Sequence, residues 1–161
     1  MFRRRRPGRE PPPIADAIVL RPIGLVRNGV LRPRLGGWER VESRLELLPE
    51  FAPALAGIDG FSHVIVLTWL HLAAAEPRDA LAIHPGGDPS LPLVGVFALR
   101  VGGRPNPIGL SVVELLGVSD RVVRVRGLDA IDGTPLLDLK PYLPPYDSVP
   151  GALLPGWAKG G

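Results

Sequence analysis

The chain has 161 residues, of which 45% are hydrophobic, so it can bury the core of one ordinary domain. It contains no cysteine, which excludes a disulfide framework, a thiolate nucleophile and cysteine-ligated zinc or iron–sulfur sites. The net charge of +3 comes from the N-terminus: residues 1–10 hold five arginines and one glutamate, whereas the rest of the chain holds 14 basic and 15 acidic side chains.

Residues 1–15 are rich in arginine and proline and predict a disordered tail. The basic run attracts phosphate groups, so the tail is either a solvated chain end or an accessory RNA-binding arm. Prolines follow the arginines where a signal peptide would be apolar, and no apolar stretch approaches the ~20 residues of a membrane helix. We therefore expect a cytoplasmic protein with no membrane span, whose single domain covers residues 16–161.

The first half of that domain alternates apolar and polar residues between loops. Strands are predicted over Ile18–Val26 and Trp38–Leu48, separated by a long glycine- and proline-containing loop over Arg27–Gly37. Pro49–Ala56 predicts a short helix, because Pro49 suits a first turn and a glycine follows. Phe61–Leu70 is the strongest strand, and its near-continuous β-branched and aromatic run predicts burial on both faces.

The second half predicts further short strands, with an irregular segment over Ala73–Gly87 and a proline-rich surface path after Pro141. Ser119 and Asp120 are typical of a hairpin turn. These strands are predicted over Leu93–Arg100, Ser111–Val118, Arg121–Arg126 and Leu136–Leu139.

Many short strands without a long helix favour a mostly β fold, either a small antiparallel or mixed β-barrel with short helical segments or a sandwich. The sequence lacks the Gly-x-Gly-x-x-Gly pattern of dinucleotide-binding folds, so a Rossmann-like domain is excluded. It also lacks Gly-x-Ser-x-Gly, a Walker A motif and His-Glu-x-x-His, which argues against common hydrolases and nucleotidases.

A stiff loop is predicted at Arg104-Pro105-Asn106-Pro107, since each proline fixes φ and restricts the residue before it. Such a loop orients Arg104, which can hold a carboxylate or phosphate, and Asn106, which offers both donors and an acceptor. The same sequence is also compatible with a plain proline-rich connection between strands.

Three aspartates lie among apolar residues near the end of the domain, at Asp129, Asp132 and Asp138. Asp132-Gly133 is typical of a turn, but a turn needs only one such residue. His63 and His71 are eight residues apart and share one face of a straight strand. Two histidines make a poor metal site, so we predict no metal, and we consider His71 the better site candidate because it ends a strand.

Together these segments resemble the TrmO family, also called TsaA-like or YaeB-like, between about Ile18 and Tyr146. Pro22-Ile23-Gly24 fits the opening strand of that family. The five segments that carry the resemblance are Gly60-Phe61-Ser62-His63-Val64, Gly95-Val96-Phe97-Ala98, Arg104-Pro105-Asn106-Pro107-Ile108-Gly109-Leu110-Ser111, Asp132-Gly133-Thr134-Pro135 and Asp138-Leu139-Lys140-Pro141-Tyr142.

The resemblance implies a homodimeric, single-domain β-barrel that binds S-adenosylmethionine without a Rossmann fold. It further implies N6-methylation of N6-threonylcarbamoyladenosine, the modified base 3′ of the anticodon in tRNA. Family members hold the cofactor through the loop after the first strand, the end of the long apolar strand, the arginine before the proline-rich loop, the start of the next strand and the Asp-Gly-Thr-Pro turn. Carried onto this sequence, the cofactor-binding residues are Pro33, Arg34, Leu35, His71, Leu72, Arg100, Leu110, Asp132, Gly133, Thr134 and Pro135.

Within that resemblance, Asn106 is expected to orient the acceptor amine, and Asp138 or Asp132 to accept the proton lost after transfer. Arg104 and Lys140 are expected to contact tRNA phosphates around the anticodon loop. The sequence departs from the family pattern beside Arg100, where glycines replace hydroxyl residues. Two alternatives therefore stay open: a methyltransferase of the same fold acting on a small metabolite, and a non-catalytic module that binds S-adenosylmethionine.

Overall fold

The fold, taken from a computed structural model that describes residues 17–34, 36–73 and 80–158, is a closed β-barrel with few helices. The barrel order is β1-β2-β7-β6-β3-β8, every neighbouring pair is antiparallel, and β4 and β5 form a separate two-stranded ribbon. The mostly β, non-Rossmann prediction is confirmed. In the described part of the chain the strands are β1 Gly24–Arg27, β2 Glu42–Leu47, β3 His63–Trp69, β4 Ala82–Ile83, β5 Val94–Gly95, β6 Ile108–Ser119, β7 Val122–Arg126 and β8 Pro135–Pro141.

Helical structure is limited to short turns. One α-helical turn, α1, covers Pro144–Asp147, in a region expected to be irregular. The short helix predicted after β2 is present as a 3₁₀ helix. In the described ranges the 3₁₀ helices cover Trp38–Arg40, Pro49–Leu55, Ile58–Gly60, Pro85–Gly87, Val96–Ala98 and Gly156–Ala158.

The core fills the barrel interior and follows the alternation of its strands. In β3, Val64, Val66 and Thr68 point inward and are almost fully buried, while the residues between them are only half-buried or exposed. The prediction that this strand is buried on both faces is therefore wrong, because a closed barrel offers each strand a single interior face. The other core side chains include Val26, Leu45, Leu47, Val113, Val123, Val125, Leu128 and Leu136.

The first strand is shorter than predicted. Only Gly24–Arg27 is a strand, and residues 18–20 are exposed rather than paired. The backbone N–H of Ile23 still bonds to the carbonyl of Leu136 at 2.8 Å, but the preceding Pro22 has no N–H to continue the ladder. Only Gly24 and Leu25 pair with β8, so β8 offers few residues against which β1 could be longer.

Two other predicted strands begin or end in a 3₁₀ turn. Over Trp38–Leu48, the N–H of Val41 bonds to the carbonyl of Trp38 at 2.9 Å, so the chain turns before β2 starts. Over Leu93–Arg100, strand pairing stops after β5 because its partner β4 has only two residues. The chain continues as the 3₁₀ turn Val96–Ala98, with Val96 buried.

The hairpin between β6 and β7 is confirmed, with Asp120 at φ 54° in the turn. Strand β8 contains the predicted Leu136–Leu139 and extends it on both sides. The predicted N-terminal tail of residues 1–15 lies outside the described residues. Across the ranges that the structure describes, no helix combines the length and apolar character needed to cross a bilayer.

Candidate functional site

A cavity of about 730 Å³ lies at one end of the barrel. The antiparallel registers place the ends of β1, β3 and β7 at this end, together with the starts of β2, β6 and β8. Its wall therefore combines short pieces from four parts of the chain, within residues 33–38, 70–73, 100–112 and 127–134. A cavity of this size suits a ligand of cofactor dimensions.

The two chain segments that meet at β3 and β6 approach closely in this wall. A Cβ added at Gly109 would lie 2.5 Å from Oγ1 of Thr68, a buried core residue. A side chain at this position would therefore push the start of β6 away from β3. The N–H of Leu70 also bonds to the carbonyl of Pro107 at 2.8 Å, which ties the proline-rich loop to the end of β3.

Opposite charges line the same cavity. Arg100 donates from Nη2 to the carbonyl oxygen of Leu110 at 2.5 Å, which fixes the guanidinium against the start of β6. Asp129 lines the cavity as well. Desolvation by the surrounding protein raises the pKa of Asp129, and the positive charge of Arg100 acts in the opposite direction. A zwitterionic ligand can bind here, with an anionic group at Arg100 and a cationic group at Asp129.

The remaining wall is largely apolar and contains one aromatic platform. Trp38 is 8% exposed, and its indole N–H donates to the carbonyl of Arg34 at 3.2 Å. The Arg34 guanidinium lies 4.7 Å from the Trp38 ring centroid and also donates to the carbonyl of Gly37 at 2.8 Å. These bonds hold the Trp38 ring against the cavity, where it can pack on a flat ligand. The apolar side chains that share this wall include Leu70, Leu72, Val101, Ile108, Leu110, Val112 and Ile131.

His71 carries a buried polar atom that faces no hydrogen-bonding group of the described residues. Its Nδ1 is buried, and among the described residues it has no hydrogen-bond partner. Leaving a buried nitrogen unsatisfied costs about 1–3 kcal/mol, so a ligand that supplies a hydrogen bond here is favoured. His71 lines the cavity, at the strand end where the sequence predicted a site residue.

The structure brings together more than half of the predicted cofactor residues. Leu35 lies outside the described residues. Arg104, predicted to contact RNA, lines the same cavity. The predicted cofactor residues in the cavity wall are Pro33, Arg34, His71, Leu72, Arg100, Leu110 and Thr134.

The other predicted residues lie outside the cavity wall. Asn106 lies between two wall residues, Arg104 and Ile108, on the exposed loop that rims the opening. Asp138 pairs with Lys140 at 2.5 Å, and its register opposite Leu67 puts both side chains on the outer face of β8. Gly133 and Pro135 flank the buried Thr134 without lining the cavity.

Asp132 clamps the loop that follows β1. Its Oδ1 accepts from the backbone N–H of Asn28 at 2.8 Å and of Gly29 at 3.1 Å, and Arg27 lies 3.4 Å from Oδ2. The two backbone donors, with a smaller contribution from Arg27, hold the pKa of Asp132 below its ordinary value. This carboxylate faces a smaller cleft of about 420 Å³, so its predicted contact with the cofactor stays a prediction. That cleft is lined by Arg27, Asn28, Gly29, Glu42, Ser43, Arg44, Arg124 and Asp132.

The hydrogen bonds that the Asp132 carboxylate accepts are expected to stabilise the fold in a pH-dependent way. We expect Asp132→Asn to lower the free energy of unfolding at pH 7 by about 1–2 kcal/mol, because a neutral amide oxygen accepts these bonds more weakly. Since folding lowers the pKa of Asp132, its contribution is present above the ordinary pKa of 3.8 and is lost as the pH falls through the folded value. Urea unfolding at pH 7 and at about pH 3 measures the difference.

The matched control is Asp120→Asn, in the β6–β7 turn. Asp120 has φ 54°, a conformation that asparagine also tolerates. This variant therefore removes a carboxylate that, unlike Asp132, does not hold a neighbouring loop among the described residues. We expect its stability to match the wild type at both pH values. A difference between Asp132→Asn and wild type that persists unchanged at low pH would contradict the ionised clamp.

Among the wall residues that the sequence did not single out, Asp129 and Trp38 are the two with a charged or aromatic side chain. Asp129 was noted only as part of an aspartate cluster, and nothing local distinguishes it from Asp132, which turns to the other cleft. Trp38 was assigned to a half-buried strand, but a 3₁₀ turn directs it into the cavity. The signal for Trp38 was the Gly36-Gly37 pair before it, since both glycines adopt positive φ and turn the chain there. Among the residues described, no group of three or more potential metal ligands is found.

The family model described as tRNA-methyltransferase O N-terminal domain matches residues 30–148, which include every described segment of the cavity wall. The chain belongs to the TrmO_N family. The resemblance identified in the sequence is therefore confirmed, and the matched TrmO_N residues include the proline-rich loop and the Asp-Gly-Thr-Pro turn.

Relatives of this TrmO_N chain agree with the family match. A "Probable S-adenosyl-L-methionine-binding protein" of Methanothermobacter thermautotrophicus is 43% identical over 136 residues, covering 82% of this chain and 95% of the relative. A "Putative S-adenosylmethionine-dependent methyltransferase RcsF" of Pseudomonas aeruginosa is 46% identical over 143 residues, covering 81% of this chain and 59% of the relative.

A crystal structure of TrmO from Pseudomonas aeruginosa superposes with a TM-score of 0.68 at 35% sequence identity. The match covers 85% of this chain and 61% of that chain, so this chain spans about three-fifths of the length of the solved protein. The barrel fold is therefore shared with a TrmO structure.

Proposed function

We propose that this protein is an S-adenosylmethionine-dependent methyltransferase that N6-methylates N6-threonylcarbamoyladenosine next to the anticodon of tRNA. The observation that carries the proposal is the placement of Arg100, Asp129 and Trp38 around one cavity. S-adenosylmethionine has a carboxylate, a cationic end and a flat adenine, so the three side chains complement its three parts. The names of the relatives support the same cofactor.

In this proposal the cofactor supplies an activated methyl group, and the residues of the chain bind and align it. Arg100 holds the carboxylate of the methionine part, and Asp129 accepts hydrogen bonds from its ammonium group. The adenine packs against Trp38 within the apolar wall. Nδ1 of His71 then gains the hydrogen-bond partner that it lacks among the described residues.

The acceptor is aligned at the rim by Asn106. The loop around it is rigid, because Pro105 and Pro107 fix φ, Pro107 is buried, and the N–H of Ile108 bonds to the carbonyl of Asn106 at 2.8 Å. The side-chain amide of Asn106 forms no hydrogen bond to another described residue, so it is available to the exocyclic amine of a base. The assignment of Asp138 as proton acceptor stays a prediction, since its carboxylate is paired with Lys140 on the outer face.

The tRNA partner is supported by the position of Arg104 in the cavity wall, where it can contact a phosphate of the anticodon loop. Lys140 is proposed for a second phosphate contact, from the outer face of β8. We also retain the predicted cytoplasmic location and homodimer. The outward side chains of β6 support the dimer, because Ile108, Leu110 and Val112, which also line the cavity, are 36–47% exposed and form an apolar row.

Two other functions have specific support. Methylation of a small metabolite is favoured by the near balance of charge outside residues 1–10, since RNA-binding surfaces are usually basic. A non-catalytic binding module is favoured by relatives that are named for S-adenosylmethionine binding alone. Both functions use the same cavity, but the metabolite enzyme has a different methyl acceptor and the binding module has none.

An assay of labelled methyl transfer from S-adenosylmethionine to tRNA distinguishes the three proposed functions. We expect label in tRNA that carries N6-threonylcarbamoyladenosine and none in the same tRNA without that modification. Label in both tRNAs would contradict the proposed acceptor. No label in either, with cofactor binding intact by calorimetry, would overturn the tRNA proposal, and label in a metabolite extract would then separate the small-molecule enzyme from the binding module.

A further inference from the structure

An exposed aromatic ring lies next to the cavity and has no role in the site described above. Phe97 is 77% exposed, on the 3₁₀ turn Val96–Ala98 between β5 and β6. Three residues later the chain enters the cavity wall at Arg100. A phenylalanine this exposed keeps most of its apolar surface in water, which is unfavourable unless a partner covers it.

The backbone under Phe97 is fixed. Val96 is 1% exposed, and its N–H bonds to the carbonyl of Leu81 at 3.0 Å. The N–H of Leu99 bonds to the carbonyl of Val96 at 3.3 Å and closes the turn. The ring is therefore presented to solvent by an anchored turn, which lowers the entropy cost of binding a partner there.

A guanidinium group accompanies the ring. The Arg104 guanidinium carbon lies 6.0 Å from the Phe97 ring centroid, and Nη1 of Arg104 donates to the carbonyl of Leu99 at 3.4 Å. Arg104 also lines the cavity. The aromatic ring and the cationic guanidinium thus lie side by side next to the cavity, and Asn106 lies two residues beyond Arg104.

We propose that Phe97 and Arg104 form a stacking site for an unpaired nucleobase of the RNA substrate, beside the acceptor base that Asn106 aligns at the rim of the cavity. Unpaired bases in RNA loops are bound by stacking on aromatic rings and on arginine planes, and their phosphates attract the same cations. This inference rests on the proposed tRNA function and adds a specific contact for a neighbouring nucleotide. Phe97 is a substrate-binding residue in it and takes no part in methyl transfer.

The test compares three substitutions at Phe97 with an anticodon stem-loop RNA that carries N6-threonylcarbamoyladenosine. We expect Phe97→Ala and Phe97→Leu to weaken RNA binding about tenfold, because stacking on the ring is lost in both. Phe97→Trp keeps an aromatic face and is expected to bind as tightly as the wild type. The Kd for S-adenosylmethionine is expected to stay unchanged, and KM for the RNA to rise while kcat is retained.

The control is Leu93→Ala, on the same chain segment. Leu93 is 63% exposed and apolar but not aromatic, so its loss is expected to leave RNA binding unchanged. If Phe97→Leu bound RNA as tightly as the wild type, hydrophobic contact rather than stacking would explain the exposed ring. If Phe97→Ala turned a dimer into a monomer in sedimentation, the ring would belong to an interface between two copies of the chain.

Measuring RNA binding and methylation by the wild-type protein distinguishes an incorrect stacking site from an incorrect proposed function. A wild type that binds and methylates the stem-loop, with Phe97→Ala unchanged in RNA affinity, would overturn only the stacking site. A wild type that binds S-adenosylmethionine but neither binds nor methylates the RNA would overturn both.

Discussion

Asn106→Ala is expected to lower kcat for methyl transfer about 100-fold while leaving the Kd for S-adenosylmethionine unchanged. N6 of the proposed acceptor is a weak nucleophile, because its lone pair is delocalised into the purine ring and into the attached carbamoyl carbonyl. A hydrogen bond from its single N–H to an acceptor oxygen orients N6 toward the methyl group, and a small loss of alignment is enough for a change of this size. Asn106 lies outside the cavity wall, so cofactor contacts are preserved.

Single-turnover rates and calorimetric titration with the cofactor measure the two quantities separately. Asn106→Asp keeps an acceptor oxygen on a side chain of the same size, and we expect it to retain more activity than the alanine variant. Thermal unfolding of each variant checks that the loop is intact. Equal losses in kcat and in cofactor affinity would contradict an alignment role and would place Asn106 among the cofactor-binding residues.

Local patterns predicted the mostly β fold, because most of its strands can be recognised from a few consecutive residues, and the resemblance then favoured a barrel over a sandwich. Alternating valines marked β7, and the Ser119-Asp120 turn marked the β6–β7 hairpin. The error at β1 has a different origin. Ile18–Leu20 is as apolar as a strand, but its pairing depends on the short start of β8, which lies more than 100 residues away in sequence.

The cavity was predicted less completely than the fold because its wall is assembled by barrel closure. The resemblance supplied Arg100, which the local sequence alone would have left as an exposed arginine, whereas the strand-end position of His71 had already marked it as a site candidate. The resemblance also supplied Asp132, whereas the structure turns that carboxylate toward the loop after β1. Side-chain direction within a tight turn follows from backbone geometry, and neither composition nor motif order specifies it for Asp129 and Asp132.

Arg100→Ala is expected to weaken binding of S-adenosylmethionine by about 2 kcal/mol, or roughly 30-fold in Kd, because it removes a charge-assisted hydrogen bond to the cofactor carboxylate. Calorimetric titration measures this directly and does not depend on the identity of the methyl acceptor. Arg100→Lys keeps the positive charge but loses the planar guanidinium that can donate two parallel hydrogen bonds to a carboxylate, so an intermediate Kd is expected.

The control is Arg124→Ala, which removes the same charge from the outer face of β7. Arg124 pairs with Glu42 at 3.2 Å and lies outside the cavity wall, so its loss is expected to leave the Kd unchanged. If both variants weakened binding equally, long-range charge rather than a direct contact would be responsible, and raising the salt concentration would abolish the effect. A loss confined to Arg100→Ala and largely retained at high salt identifies a short-range contact, since a direct, partly desolvated pair is screened far less than separated surface charges.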